Sequence, residues 1–378
     1  MEFVILNIIS LFYQNVIVKR IFVIGLFFQL CLLANGQDKP NKTEENDSLY
    51  INRENYVISA RDKFTIFVFS TRYLNGKLFT NPGINNYYFP ITPLNIGLGF
   101  SHKWLAVNIA IFSPKIGKNN YDGYQSKYQN FNLQALAYTP QYGLDILYSQ
   151  NLGYFLGNYN GYVDVVGAPE KTPYFDMKTS RFTVNLLRVF NPAKYSMNAT
   201  MIGGEQQKNS ASSFIINSSF STCYFKMSDS IPTFILDQMN QDAIFQKGTF
   251  YSIAVLPGYG FTWIIRKKFY LGIIPGLGPS LQFKSMTFET SHEDKVALSY
   301  RVIAKAGAGF HAKRWTAGIS VLYDNERYHL ASKTNIFNNN GKIIVKVGYK
   351  INVPKWGKGL SKTMSTMQNK FENTLPHF

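Results

Sequence analysis

The chain is poor in charge and in cysteine, and both shortages exclude classes of protein. Charged residues make up 16% of its 378 residues, whereas soluble domains usually carry about a quarter. So few charges could not cover a water-exposed surface of ordinary size. The two cysteines are Cys31 and Cys223. Because Cys31 lies in a predicted leader, no disulfide framework and no cysteine metal site is expected, and the histidines lack metal-ligand spacing. No cofactor is therefore predicted.

After residue 36 the chain also lacks the run of about 18 or more apolar residues that a membrane-spanning helix needs. A helical membrane protein is excluded on that ground. Aromatic residues, in contrast, are abundant, with 31 Phe, 25 Tyr and 4 Trp. A β-barrel with a lipid-facing outer wall and aromatic girdles accommodates such a composition.

The first 36 residues have the form of a secretory signal peptide. Lys19 and Arg20 precede an apolar run from residue 21 to 33, and Ala34-Asn35-Gly36 offers a small-x-small cleavage site. We therefore predict export, with an uncleaved signal anchor as the alternative. The polar residues 37–60 lack periodicity and are predicted to form a disordered periplasmic lead-in.

From residue 61 to 353 apolar residues alternate with polar or small ones, which is typical of strands with one face in lipid and one in a polar lumen. Thirteen segments show this alternation: 64–73, 94–101, 105–111, 130–138, 142–149, 180–190, 195–203, 212–225, 249–264, 268–283, 296–310, 314–325 and 342–353. Because single-chain bacterial barrels have an even number of strands, one further strand is expected near residues 233–236. The prediction is an all-β, antiparallel, up-and-down transmembrane barrel of about 14 strands, with 12 as the runner-up.

Three Gly-x-Gly-Phe segments each lead into a basic turn and an aromatic residue. Amphipathic rings and cationic side chains settle at a membrane–water interface, so these turns are predicted to anchor the barrel there. The predicted anchors are Lys103, Trp104, Lys268, Phe269, Lys313 and Trp315. Residues 354–378 carry apolar residues at helical spacing and are predicted to form an amphipathic helical tail.

One polar cluster is the candidate lumen or ligand site. It comprises Glu205, Gln207, Lys208, Ser210 and Ser213. A carboxylate, an amide, an ammonium group and two hydroxyls could line a constriction or hold a lipid headgroup. The alternative is a hydrogen-bonded turn in which Glu205 pairs with Lys208. No catalytic residue is assigned, although His329 and Asp324 are the pair that an enzyme would most plausibly use.

Residues 191–214 resemble a family of exported Bacteroidetes proteins of unknown function that are regarded as outer-membrane β-barrels. The resemblance rests on the Asn191-Pro-Ala-Lys-Tyr-Ser196 turn and on the segment from Glu205 to Phe214, in which Ser212 stands where the family has glycine. It implies a barrel in the cell outer membrane and implies no activity.

The formal net charge of +17 is spread singly over turns and loop edges, so contact with lipid phosphates is favoured over nucleic acid, which is not an expected partner. The expected partners are outer-membrane lipid and lipopolysaccharide, and the barrel-assembly machinery during insertion; a small-molecule cargo is not identified. The predicted function is a narrow channel or a surface binding or structural protein. Two alternatives stay open, a barrel enzyme acting on lipid or lipopolysaccharide and a soluble periplasmic β-sandwich.

Overall fold

The computed structural model describes most of the chain after residue 52. The described residues are 53–59, 63–81, 84–90, 94–112, 129–157, 173–227, 245–289, 291–312, 314–331, 334–353, 359, 361–364 and 366–367. The predicted signal peptide, the expected strand near 233–236 and Lys313 lie outside these ranges. Within them, helices are too short or too polar to cross a lipid bilayer.

The described chain is mostly strand, and a short helix, α1, lies at Met197–Met201 between two of the strands. Strands β1 to β8 are Val57–Ser59, Lys63–Tyr73, Gly76–Asn81, Ile84–Pro90, Asn95–His102, Leu105–Phe112, Gln129–Tyr138 and Tyr142–Gly157. Strands β9 to β16 are Pro173–Val189, Glu205–Gln207, Ala211–Lys226, Lys247–Ile265, Phe269–Thr287, His292–His311, Trp315–Ala331 and Thr334–Asn352.

Fourteen of these strands form one antiparallel sheet that closes on itself. The full ring runs β2, β5, β6, β7, β8, β9, β11, β12, β13, β14, β15 and β16, and β16 pairs back onto β2 from Asn352–Lys63 to Lys342–Tyr73. Each member of this ring pairs antiparallel with its neighbours. The predicted antiparallel barrel is confirmed, and the sandwich alternative is wrong because the large sheet closes on itself and does not divide into two sheets packed face to face.

The remaining two strands of the sheet, β3 and β4, form a hairpin that closes a second ring. β3 pairs with β16 at residues 335–339, directly beyond the β2 pairing, and β4 pairs with β8 at residues 154–157. The hairpin lies in residues 74–92, where the sequence pattern predicts a loop. The sheet therefore has the predicted 14 strands, but its extra pair lies here, and the full ring has 12.

Residues 195–203 were predicted to be a strand and instead contain α1. The apolar residues Met197, Ala199 and Met201 do alternate, but Ser196 sits at the helix N-cap, where its Oγ accepts the Ala199 N–H at 3.0 Å. This capping bond decides the local structure. At one end of the ring the connections are short except for 190–210, which contains α1, and the opposite end carries the long connections 74–94, 113–128, 158–172 and 227–246. The long loops expected at 284–295 and 326–341 are wrong, because β13 to β16 extend further and leave only 288–291 and 332–333 between them.

We call the end with the tight connections at 103–104, 139–141, 266–268 and 312–314 the turn end, and the opposite end the loop end. At the turn end β1 pairs with β10, with Val57 opposite Gln207 and Ser59 opposite Glu205. The predicted disordered lead-in therefore does not extend to residue 60, because residues 57–59 gain backbone partners. The described residues of the predicted helical tail are helical.

The side chains alternate between the two faces of the wall. Apolar side chains on β13 point outward and are about half exposed, at 47% for Leu271, 48% for Ile273 and 57% for Leu277. Inward-facing neighbours such as Tyr270 and Ile274 are buried. The hydrophobic surface of the ring thus lies mainly outside, and the lumen holds the polar groups and three packed apolar clusters.

Candidate functional site in the lumen

The loop end of the lumen is filled by an aromatic and apolar cluster. Its buried members include Phe79, Tyr88, Tyr154, Met177, Cys223, Phe225, Phe250, Tyr328 and Ile336. Phe225 and Phe250 meet edge to face at 5.3 Å between ring centroids, and Phe250 and Tyr328 lie 4.6 Å apart. Because the β3–β4 hairpin contributes Phe79 and Tyr88, the second ring closes around this cluster.

Below this cluster lies a layer of buried ion pairs. Arg301 binds Asp324 through two parallel hydrogen bonds, from Nε to Oδ1 at 2.8 Å and from Nη2 to Oδ2 at 2.7 Å. Arg181 reaches from the opposite wall to Asp324 at 3.1 Å and to Glu326 at 3.3 Å. The bidentate geometry of the Arg301–Asp324 pair is the strongest form of such a pair. Arg181 joins this pair of β14 and β15 to β9 across the lumen.

Hydroxyl groups complete this layer around Glu326, which is fully buried. Its Oε2 accepts from Ser221 at 3.1 Å and from Tyr328 at 3.0 Å, and its Oε1 accepts from Ser280 at 3.2 Å. Arg301 Nη1 also donates to Ser219 Oγ at 2.6 Å. The layer is therefore a hydrogen-bonded network that joins five strands, β9, β11, β13, β14 and β15.

A second group of charges lies nearer the turn end. Lys305 donates to Asp145 and to the Tyr138 hydroxyl, and Lys342 donates to Gln134 on the opposite wall. Lys346 donates to the carbonyl oxygens of Met201 at 2.9 Å and Ile202 at 3.1 Å. These carbonyls end helix α1, where a cation is favoured by the helix dipole.

Helix α1 fills the turn end of the lumen as a plug. Asn198 Nδ2 donates to the carbonyl oxygens of Lys103 and Tyr138, both at 3.1 Å, and so ties the plug to two turns. Thr200 Oγ1 lies 2.9 Å from Thr262 Oγ1 on β12. The wall leaves room for it with glycine, since a Cβ at Gly272 would lie 2.4 Å from Thr200 Cγ2.

The predicted cluster of residues 205–213 lies just outside this plug and anchors it. Glu205 forms a buried pair with Arg53 Nη2 at 2.5 Å and accepts from Ser196 Oγ at 2.5 Å. Gln207 Oε1 accepts the Ser196 N–H at 2.9 Å, and its Nε2 donates to Lys194 O at 2.6 Å. Glu205 therefore pairs with Arg53 and not with Lys208.

The other three predicted cluster residues bind backbone groups. Lys208 Nζ donates to Glu54 O, and Ser210 Oγ accepts the Ile264 N–H at 3.0 Å. Ser213 Oγ accepts from the N–H groups of Phe190 and Asn191, at 3.1 and 2.9 Å. These contacts match the hydrogen-bonded turn that the sequence left open as an alternative. Inside the same connection, burial raises the pKa of the Tyr195 hydroxyl, which keeps it neutral.

The predicted anchors that the structure describes gather at the turn end. Lys103 Nζ donates to Ser361 O at 2.7 Å, and Trp104 Nε1 donates to Met364 O at 3.0 Å, so both hold the helical tail. Trp315 is 55% exposed and lies edge-on to Tyr349 at 4.8 Å.

The remaining described anchors, Lys268 and Phe269, lie in and after the β12–β13 turn. The carbonyl oxygen of Lys268 accepts from the His311 N–H at 3.0 Å. Phe269 is 49% exposed and packs on Phe310 at 5.2 Å.

The structure separates His329 from Asp324. The two residues are five positions apart on β15, so their side chains point to opposite faces of the wall. Asp324 is buried in the ion-pair layer, while His329 Nδ1 lies 2.9 Å from Asn335 Oδ1. They cannot act as a catalytic pair.

Small cavities lie beside the charged groups in the described part of the lumen, and two of them are lined by members of the ion pairs. One has a volume of about 70 Å³ and is lined by Arg181, Asp324 and Lys342, and the other, about 40 Å³, is lined by Lys305 and Asp145. Arg181 Nε and Asp145 Oδ1 have no hydrogen-bond partner among the described residues. Spaces of this size and polarity suit a few water molecules.

Sequence reasoning missed the ion-pair layer. A signal was present, because Asp324 and Glu326 are two apart on one strand, where charge on a single face of a barrel strand indicates the lumen. Their partners Arg181 and Arg301 are distant in sequence, and the strand register that joins them, such as Arg301 opposite Glu326, is not visible in composition.

No curated protein matches the chain. Among solved structures the chain is similar to the outer membrane protease OmpT from Escherichia coli, at 9% identity and a TM-score of 0.34, over 77% of this chain and 97% of that one. It is similar to the β-domain of the Bordetella autotransporter BrkA, at 11% identity and a TM-score of 0.31, over 76% and 99%. It is also similar to the outer membrane protein OprG from Pseudomonas aeruginosa, at 9% identity and a TM-score of 0.24, over 78% and 98%.

A family model described as a domain of unknown function, DUF4421, matches residues 45–351. The predicted membership in a family of unknown function is thereby confirmed, whereas a Bacteroidetes origin stays a prediction. The match covers the whole described barrel together with its plug, and this protein belongs to the DUF4421 family.

Proposed function

We propose that this protein is an outer-membrane β-barrel with a closed lumen, which serves as a surface binding or structural protein and not as an open channel. The observation that carries the proposal is the filling of the lumen at three successive levels, by the plug, the ion-pair layer and the aromatic cluster. The sequence predicts either a narrow channel or a surface binding or structural protein, and the proposal selects the second role.

The outer face of the ring supports the membrane position. On β13 the outward apolar residues run from Phe269 to Leu281, twelve residues further along the strand. At about 3.3 Å per residue and a strand tilt of about 40°, this band is about 30 Å tall. Such a height suits the hydrocarbon layer of a bilayer, whose thickness is about 30 Å. In water the same band would be a large exposed apolar patch.

The orientation follows from the connections. Barrels place short turns on the periplasmic side and long loops outside, so the turn end faces the periplasm in this proposal. The aromatic residues Trp104, Phe269 and Trp315 then lie at the interface between the outer membrane and the periplasm. The β3–β4 hairpin and its aromatic cluster lie at the cell surface.

The ion-pair layer is the strongest barrier to conduction. Arg181 crosses the lumen from β9 to β15, and breaking one buried partner of such a network typically costs about 3–5 kcal/mol. An ion could pass only after these pairs and the plug separated together. The rigid, filled lumen would instead support the surface hairpin and loops, where binding would take place.

Planar bilayer recording of the refolded, full-length chain tests this function. We expect no steady conductance steps from the wild type. A variant with residues 196–203 replaced by a Gly-Ser linker should also stay silent, because the ion-pair layer and the aromatic cluster remain. Steady steps from the wild type would contradict the closed lumen. Gel migration that does not change on heating would contradict the membrane-spanning barrel instead, so the two parts of the proposal fail separately.

A lipid or lipopolysaccharide enzyme gains no support from the described residues. The pair expected for it, His329 and Asp324, is split between the two faces of the wall, and Ser210 Oγ is occupied as an acceptor for the Ile264 N–H. We therefore place the function in binding or structure.

A further inference from the structure

Backbone conformation singles out three cationic residues at the turn end. Among the described residues, the non-glycine residues with positive φ are Lys103 at 54°, Arg266 at 50° and Lys267 at 61°. All three are basic, and all three lie in tight turns between strands of the ring. Positive φ is uncommon outside glycine, and where it occurs asparagine, aspartate and histidine are enriched. Lysine and arginine are therefore unexpected at these positions.

The β12–β13 turn makes the mismatch clearest. Arg266 and Lys267 are its two central residues, and the Lys268 N–H donates back to Ile265 O at 3.4 Å. Two central residues with positive φ are the pattern of a type I′ turn, for which Asn-Gly is strongly preferred. The turn therefore carries two positive charges at positions where its own geometry would favour smaller, uncharged residues. Backbone outliers that the fold tolerates point to a functional demand on the side chain.

Arg266 and Lys267 belong to a larger group of basic residues, which we call the basic collar: Lys194, Lys208, Arg266, Lys267 and Lys268. Gln206 Nε2 donates to Lys267 O at 3.3 Å, which places the β12–β13 turn against β10 and next to Lys208. Residues 266–268 of the turn and Lys194 are exposed, and Lys208 is half-buried.

Few carboxylates oppose the basic collar in the described part of the turn end. Glu205 is buried and paired with Arg53. Glu54 is the other acidic residue there, so the collar keeps a clear excess of positive charge.

Apolar and aromatic surface lies directly beside the basic collar. Trp263 is 54% exposed on β12, and Phe269 follows the turn on β13. Further along the same two strands the wall exposes Phe261 and Leu271. A row of cations above an apolar wall matches an amphiphile with an anionic head and acyl chains, because rings settle at the interface and cations reach the phosphates.

We propose that the basic collar binds the phosphate-bearing headgroup of an anionic phospholipid in the leaflet that surrounds the turn end. This inference rests on the proposed membrane position of the barrel. The collar supplies the charge, Trp263 and Phe269 supply the interfacial ring contacts, and the wall below supplies the surface for the chains. Each lysine or arginine near an anionic membrane surface raises the affinity for that surface about five-fold, so loss of two should lower the affinity for the anionic lipid about 25-fold at low salt.

The test uses a double substitution that should leave the turn intact or improve it, Arg266→Asn with Lys267→Gly. The wild type and the variant are refolded and then equilibrated with equal amounts of phosphatidylglycerol and phosphatidylcholine of the same chain composition. Native mass spectrometry counts the lipids that stay bound. The matched control is Lys178→Gln with Lys247→Gln, which removes two positive charges from the loop end.

We expect the wild type and the control to retain phosphatidylglycerol preferentially, and 0.5 M salt to weaken that preference. The collar variant should lose most of the preference while its midpoint of unfolding in urea stays equal or rises, since Asn-Gly suits the turn. Equal retention by variant and wild type, or an equal loss in the control, would overturn the proposal. Sedimentation of the wild type and the collar variant with peptidoglycan is measured as well. If the collar variant keeps its lipid preference but no longer sediments with peptidoglycan, the collar binds an acidic cell-wall polymer and the lipid proposal is overturned. Heat-dependent gel migration is measured on every variant, and its absence refutes the membrane position itself.

Discussion

The buried pair of Arg53 and Glu205 offers a direct way to release the plug without touching the barrel wall. Arg53 Nη2 donates to Glu205, and Arg53 Nη1 donates to the carbonyl oxygens of Pro192 and Tyr195, which precede helix α1. Substitution of Arg53 with Met keeps much of the side-chain volume but removes all of these donors. Glu205 is then left buried with Ser196 Oγ as a remaining donor.

The expected size of the effect follows from the burial of both partners. Side-chain exposure is 5% for Arg53 and 10% for Glu205, and removal of one partner from a buried pair typically costs about 3–5 kcal/mol. If that cost falls on the docking of the plug, its opening equilibrium rises by about 150- to 5,000-fold. Amide hydrogen exchange in residues 197–203 should accelerate accordingly, whereas exchange in β12 to β14 should stay unchanged.

A second variant separates loss of the pair from general damage. Arg53→Met combined with Glu205→Leu leaves no unpaired buried charge, and replacing both partners with apolar residues is often nearly neutral. Exchange in residues 197–203 should therefore return most of the way to the wild-type rate. If Arg53→Met alone changes that rate by less than about three-fold, the pair does not hold the plug and the reasoning fails.

Two further substitutions test the lumen itself. Asp324→Asn removes the negative charge shared by Arg301 and Arg181 and replaces one acceptor oxygen with a donor, so we expect a loss of about 3–5 kcal/mol in the free energy of unfolding, measured in urea with detergent micelles; a loss under about 1 kcal/mol would show that the layer is not structural. Gly272→Val places a side chain where Thr200 Cγ2 already lies, within 2.4 Å of the new Cβ, and should displace the plug at a cost of about 1–3 kcal/mol. The matched control is Gly276→Ala, whose Cβ would meet its nearest atom at 3.3 Å, and equal exchange of residues 197–203 in both variants would contradict the close approach.

The strands of the full ring could be predicted from sequence because one physical constraint shapes them all. Each has an apolar outer face and a polar or small inner face, so the alternation survives without knowledge of any partner. Strand β13 was expected at 268–283 and is found at Phe269–Thr287. The end of β13 beyond the apolar band was not predicted, because apolar and polar residues alternate less clearly there.

The plug and the hairpin were missed for different reasons. In residues 195–203 the alternation favoured a strand, but a single capping hydroxyl at Ser196 outweighed it over this short length. In β3 and β4 the Asn- and Tyr-rich sequence has the composition of a loop, and pairing with β16 and β8 is what stabilises the strands.

The candidate site shows the same limit. The residues of 205–213 were recognised as a group because they are close in sequence, but their decisive partner, Arg53, is 152 residues away from Glu205. Long-range pairs of this kind depend on register and burial, which composition does not report.

Strand β16 closes both rings, because β2, the first strand of the full ring, and the β3–β4 hairpin both pair with it. Lys77 on the hairpin meets Asn338 on β16 across 261 positions of sequence. Neither ring can close without residues 334–352, so a chain truncated before β16 would keep β2 and β3 without these partners. Such a chain would carry two unpaired strand edges, and edges of this kind promote aggregation.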